Sequence, residues 1–104
     1  MLYRIKAKAI ENKLCDFYEK LTDGTIEEQI PDGEEIINSM KRAKINSDGF
    51  VEWFETCYCA SPLKHERDTQ YNKYFSYFNA TRVKDTYLIN GKSFWSFLKK
   101  LNSQ

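Results

Sequence analysis

Residues 36–59 read IINSMKRAKINSDGFVEWFETCYC, and how this stretch divides decides the fold. Asn46-Ser47-Asp48-Gly49 is a turn, and Asp-Gly between two strand-like runs is a hairpin signal. Residues 50–59 form the strongest strand candidate of the chain, rich in aromatic and β-branched residues, with Glu52, Glu55 and Thr56 as polar positions. Residues 36–45, where β-branched and apolar residues are scattered, are expected to be the partner strand.

Outward toward the N-terminus, Tyr3, Ile5, Ala7 and Ala9 alternate with Arg4, Lys6 and Lys8, the period-two pattern of a half-buried strand. The period then changes: Ile10, Leu14, Phe17, Tyr18 and Leu21 recur at helical spacing and predict an amphipathic helix ending near Asp23-Gly24. Residues 22–35, with two Asp-Gly pairs and one Pro, form a long polar connection. Outward toward the C-terminus, Ser61-Pro62 reads as a helix start and LKHERDTQY as a short polar helix. An extended run follows from about Tyr74. Ser93 caps a last helix with Phe94, Trp95, Phe97, Leu98 and Leu101 on one face and Lys99 and Lys100 in its final turn.

The expected order is therefore β-α-β-β-α-β plus a C-terminal helix, an α+β ferredoxin-like domain spanning 1–104. Its helices would cover one face of an antiparallel sheet. The other face, left open, would be covered by a second copy in a dimeric α+β barrel, because large exposed apolar faces mark interaction sites.

At 104 residues, with 41% apolar and 30% charged residues, the chain has enough material for one core. Aromatics are abundant at 15%, which suits a thin core, a ligand pocket or an interface. A net charge of +1 argues against a protein devoted to neutralising nucleic-acid phosphates or to anchoring on an anionic membrane. The start MLYRIKAKAI lacks a signal-peptide core, and no run approaches the ~18 apolar residues that span a bilayer. With three cysteines, these features lead to an expected cytoplasmic, reduced setting.

The runs YRIKAKAIE, GEEIINSMKRAKI and ETCYCASPLKHER resemble a small uncharacterised bacterial family. The resemblance implies the dimeric α+β arrangement and transfers no activity to any residue.

Uncommon side-chain chemistry concentrates in ETCYCASPLKHER, residues 55–67. Residues two apart in a strand share a face, so Cys57 and Cys59 would present two thiols together. With His65, and with Cys15 as a fourth ligand, they could hold zinc, although Cys-x-Cys departs from the Cys-x2-4-Cys spacing of structural zinc sites. The alternative is that both cysteines are small buried hydrophobes and no metal or cofactor is involved. Cys59, just before a helix start and near Lys64, His65 and Arg67, could instead be a nucleophile paired with His65. A third possibility is a pocket lined by aromatic rings such as Trp53 and Tyr71, with His65, Glu66 and Arg67 at its mouth gripping a small anion. Glu52 and Glu55 fall on opposite faces of their strand and cannot form a carboxylate pair. Tyr71, Tyr74, Phe75, Tyr77 and Phe78 recur like a base-stacking platform, but the RNA-recognition signature is absent. The leading expectation is a homodimeric ligand-binding or accessory domain. The rivals are a small thiol-dependent enzyme using Cys59 and His65, and a protein–protein adaptor docking through residues 22–35 or Trp95.

Overall fold

The computed structural model describes residues 1–103; the last residue of the expected 1–104 domain, Gln104, lies outside the described residues. The chain has an α+β fold. The elements are β1 (Leu2–Ala9), α1 (Leu14–Thr22), α2 (Gly33–Arg42), β2 (Lys44–Ile45), β3 (Phe50–Thr56), α3, β4 (Phe75–Arg82), β5 (Lys92–Ser93) and α4 (Phe94–Leu101). Helix α3 is composite: one α turn at Lys64–Glu66, a π-helical stretch at Arg67–Tyr71 and a closing α turn at Asn72–Tyr74.

The strands form one sheet in the order β4-β1-β3-β2-β5, every neighbouring pair antiparallel. Alternation sorts the residues by face. Tyr3, Ile5 and Ala7 of β1 and Val51, Trp53 and Glu55 of β3 are buried beneath the helices. Arg4, Lys6 and Lys8 pair across the ladder with Phe54, Glu52 and Phe50 on the opposite face. Leu14, Phe17 and Leu21 of α1, Ile36 and Met40 of α2, and Phe94 and Leu98 of α4 complete the core. The aromatic surplus goes largely here: Phe17 stacks on Tyr74 at 4.2 Å, and Tyr71 stacks on Phe78 at 5.5 Å.

Residues 36–45 correct the expected strand. They are helical to Arg42, and only Lys44 and Ile45 join the sheet. Ile36, Met40 and Ala43 recur every three or four residues, and this sets the period. Glu34 and Glu35 in the first turn and Lys41 and Arg42 in the last suit the helix dipole. The hairpin turn is as expected: the Asn46 side chain accepts the N–H groups of Asp48 and Phe50, and Gly49 has φ +82°.

Two further boundaries move. The strong strand stops at Thr56, so Cys57 and Cys59 lie in the loop that follows. The helix expected at Ser61-Pro62 begins at Lys64, after Leu63 adopts the left-handed conformation at φ +53°. Ser61 still contributes: its carbonyl accepts the Lys64 N–H and its hydroxyl accepts Arg67. Ser93 caps α4 through the Ser96 N–H, and β5 just before it was not expected.

The 22–35 connection is packed down. Ile26 is buried, and Gln29 bonds both Thr69 and Gln70 of α3. Gly33 lies so close to the Ile26 carbonyl that a Cβ there would be 2.0 Å from its oxygen.

Candidate functional site

A cleft of about 450 Å³ opens between the start of α2, the end of β3 and the start of α3. Asp32, Glu35, Cys57, Cys59, His65 and Glu66 line it, with Pro31, Thr56 and Tyr58. The packed 22–35 segment supplies Asp32; the strand terminus and its loop supply both thiols; the first turn of α3 supplies His65 and Glu66.

Behind the cleft stands Glu55. Period two puts it on the same face as Val51 and Trp53, inside the core. Its Oε1 accepts three bonds: from Trp53 Nε1 at 2.9 Å, the Tyr71 hydroxyl at 2.8 Å and the Ser39 hydroxyl at 3.0 Å. Burial, and then a shared hydrogen bond with the neighbouring Glu66, push its pKa up to about 9. Glu55 is therefore a neutral acid at pH 7. Its Oε2 is buried and has no hydrogen-bond partner. The π turn makes this geometry. Its i→i+5 bonding brings Glu66 and Tyr71, five residues apart, onto one side of α3, both facing Glu55. Burial and the Glu55 carboxyl likewise hold the Tyr71 hydroxyl far above its ordinary pKa, so it remains a donor.

Glu66 is only 4% exposed. Among the described residues it has no ion pair and accepts no bond from an N–H or from a Ser, Thr or Tyr hydroxyl. One ligand atom each from Glu66, Cys57 and Cys59 lie within 4.8 Å of one another. The cysteine loop folds back so that the Cys59 N–H donates to Cys57 Sγ at 3.3 Å. Cys57 is buried and Cys59 exposed. The adjacent Cys57 thiol, more than any other neighbour, raises the Cys59 pKa above the ordinary thiol value; the His65 backbone N–H acts in the opposite sense and is outweighed.

His65 Nδ1 meets Asp32 Oδ2 at 2.5 Å, and this carboxylate raises the imidazole pKa. The ring is therefore committed to Asp32. Arg67 does not line the cleft; its guanidinium bonds Ser61 and lies over the Phe78 ring. Trp53 and Tyr71 sit behind the cleft as donors to Glu55. Cys15 is exposed on α1 and stands outside the thiol–carboxylate group. Trp95 meets Tyr18 edge-on, with Lys41 over its ring.

Sequence reasoning missed Asp32, Ser39 and the central place of Glu55. For Glu55 a signal existed, its parity with Val51 and Trp53. For Asp32 none did, because its meeting with His65 spans 33 residues.

No family model matches the chain, and neither a curated protein nor a solved structure matches it. No helix among the described residues is long and apolar enough to cross a membrane.

Proposed function

We propose that this chain is a small ligand-binding or accessory domain that takes a compact cation into the cleft between α2, β3 and α3. Glu66 carries the proposal: a buried carboxylate, facing an open cleft, without a cation of its own. The other acids of the cleft are already answered, Asp32 by His65 and Glu35 by Arg42 at 2.8 Å. The lining contains no Lys or Arg, so its field favours a cation over the small anion that the sequence suggests.

The frame is best understood as ferredoxin-like. Support comes from the inner strand order β4-β1-β3-β2, with helices bridging β1 to β2 and β3 to β4. A homodimer through the open sheet face draws support from Phe50, Tyr77, Tyr87 and Leu88, which are at least partly exposed there or beside it. Thiol catalysis by Cys59 and His65 is the second candidate. It is favoured by their shared cleft and disfavoured by the raised thiol pKa and the bond that commits the imidazole to Asp32.

The test is a thermal-shift panel of small organic cations, such as primary amines and guanidines, set against anions of similar size. Cations are expected to raise Tm with the logarithm of concentration above Kd, a stabilisation of about 2.7 kcal/mol at 100 times Kd. Glu66→Gln and Asp32→Asn are expected to blunt the shift. Stabilisation by the anions alone, or an equal shift in both variants, rejects the proposal.

A further inference from the structure

We propose that Cys57, Cys59 and Glu66 form a binding site for a thiophilic divalent cation of the zinc class. This rests on the cation-binding cleft proposed above and names its ligand.

The distances are suited to a metal. Zn–S bonds of about 2.3 Å and Zn–O bonds of about 2.0–2.2 Å at tetrahedral angles put ligand atoms about 3.3–3.8 Å apart. The three ligand atoms already lie within 4.8 Å of each other, so each needs to move by less than about 1 Å to close on one ion. Two of the three sit on the short loop after β3, whose middle residue, Tyr58, is 88% exposed and leaves the loop room to adjust. The third, Glu66, is fixed by α3.

Each ligand explains something the protein alone leaves open. Glu66 is a buried carboxylate lacking a cation, and a bound metal ion supplies one. Cys57 and Cys59 hold two sulfurs side by side in a loop with no disulfide between them. The donor set also selects the metal. Two thiolates alone suit monovalent copper, whereas a carboxylate oxygen added to them favours a borderline divalent ion. Binding balances as two thiols and one carboxylate plus the cation giving the complex and two released protons. Three protein ligands leave a fourth position facing the cleft, the pattern of zinc sites that keep an open coordination place.

The neighbours fit as supporting groups. Carboxylates that ligate metals are commonly held by outer partners, and the buried Glu55 carboxyl neighbours Glu66. Asp32 and Glu35 line the rim, already paired with His65 and Arg42, so Glu66 is left as the unpaired acid of the cleft.

The experiment uses the full chain, stripped with a chelator and titrated with zinc against a chromophoric competitor, while mass spectrometry follows iodoacetamide labelling of each cysteine. The expected result is one zinc per chain, with Cys57 and Cys59 protected from labelling and Cys15 unaffected. Cys59→Ser, at an exposed position that leaves the core alone, is expected to weaken binding at least 100-fold; Glu66→Gln is expected to weaken it 10- to 100-fold. Cys15→Ser is expected to change nothing. The assignment is overturned by sub-stoichiometric zinc, by binding that survives Cys59→Ser, or by binding that disappears with Cys15→Ser. If zinc fails while organic cations still stabilise the wild type and not Asp32→Asn, only the metal is wrong. If both fail, the cleft itself is wrong.

Discussion

At the scale of the residue, Glu55 is the most consequential side chain in the molecule. It is a carboxyl group in a fully buried position, satisfied on one oxygen by Trp53, Tyr71 and Ser39 and kept neutral by burial and by Glu66. The sign of its effect on stability follows from its two pKa values. Below about 4.5, its unperturbed value, both folded and unfolded chains are protonated there and Glu55 adds no pH dependence. Between that value and about 9, the folded chain holds a proton that the unfolded chain releases, so stability falls as pH rises. One such proton gives a slope of about 1.4 kcal/mol per pH unit. Glu55→Gln keeps an acceptor for the three donors and offers an N–H to Glu66. It is therefore expected to be more stable than wild type at pH 8, with the gap closing toward pH 5, as read from denaturant midpoints. Parallel pH profiles for the two proteins would mean that Glu55 is ionised in the folded state. Its burial could be derived from strand parity alone; its threefold hydrogen bonding could not, because Ser39 and Tyr71 each lie 16 residues away in sequence.

Among the elements, α2 shows where sequence and structure part. The run Ile36-Ile37-Asn38-Ser39-Met40 offers two adjacent β-branched residues, which pull toward a strand, while Ile36, Met40 and Ala43 keep helical spacing. Burial decides between them: Ile36 and Met40 face the core at α spacing, and a strand would have turned Asn38 toward the same side as Ile36 and Met40. β1, α1, the Asn46–Gly49 turn and the Ser93 cap were legible because each is set by local period or cap chemistry. The two-residue strands β2 and β5 were not, since their pairing is fixed by the sheet they join. The cleft was half legible: the sequence named Cys57, Cys59, His65 and Glu66 as candidates and missed Asp32, which meets His65 across 33 residues. Gly33 tests how firmly the acidic side of the cleft is held. In an ordinary first helical turn, Gly→Ala stabilises by a few tenths to about 1 kcal/mol. Here the added Cβ would meet the Ile26 carbonyl oxygen at 2.0 Å, so the backbone must move. Gly33→Ala is expected to destabilise by about 1–3 kcal/mol, seen as a lowered Tm, and to loosen the adjacent Asp32–His65 pair. A neutral or stabilising effect would show that the 26–33 turn is not packed as described.

Across the whole molecule, a net charge of +1 hides a separation of sign. Asp23, Glu27, Glu28, Asp32, Glu34 and Glu35 fall in the segment from the end of α1 into α2, on the helical layer. The opposite, open face of the sheet carries Arg4, Lys6 and Lys8, with Glu52 paired to Arg4 at 2.8 Å. Lys6 and Lys8 lie over the Phe50 ring at 4.7 and 4.9 Å, so the apolar patch that a second copy would cover is ringed by cations. Two such faces repel at low ionic strength, where the screening length is about 30 Å at 0.01 M, and much less near 1 M, where it is about 3 Å. A sheet-to-sheet homodimer should therefore strengthen as salt is added, the reverse of an assembly held by ion pairs. Sedimentation across a salt series is expected to show the dimer fraction rising, and Lys6→Ser with Lys8→Ser is expected to shift that rise to lower salt. A dimer that dissociates as salt is added would place the contact elsewhere, with the acidic 23–35 segment of one copy against the basic sheet face of another. A chain that stays monomeric throughout would leave the aromatic patch shielded by its own lysines and remove the dimeric barrel from the description of this protein.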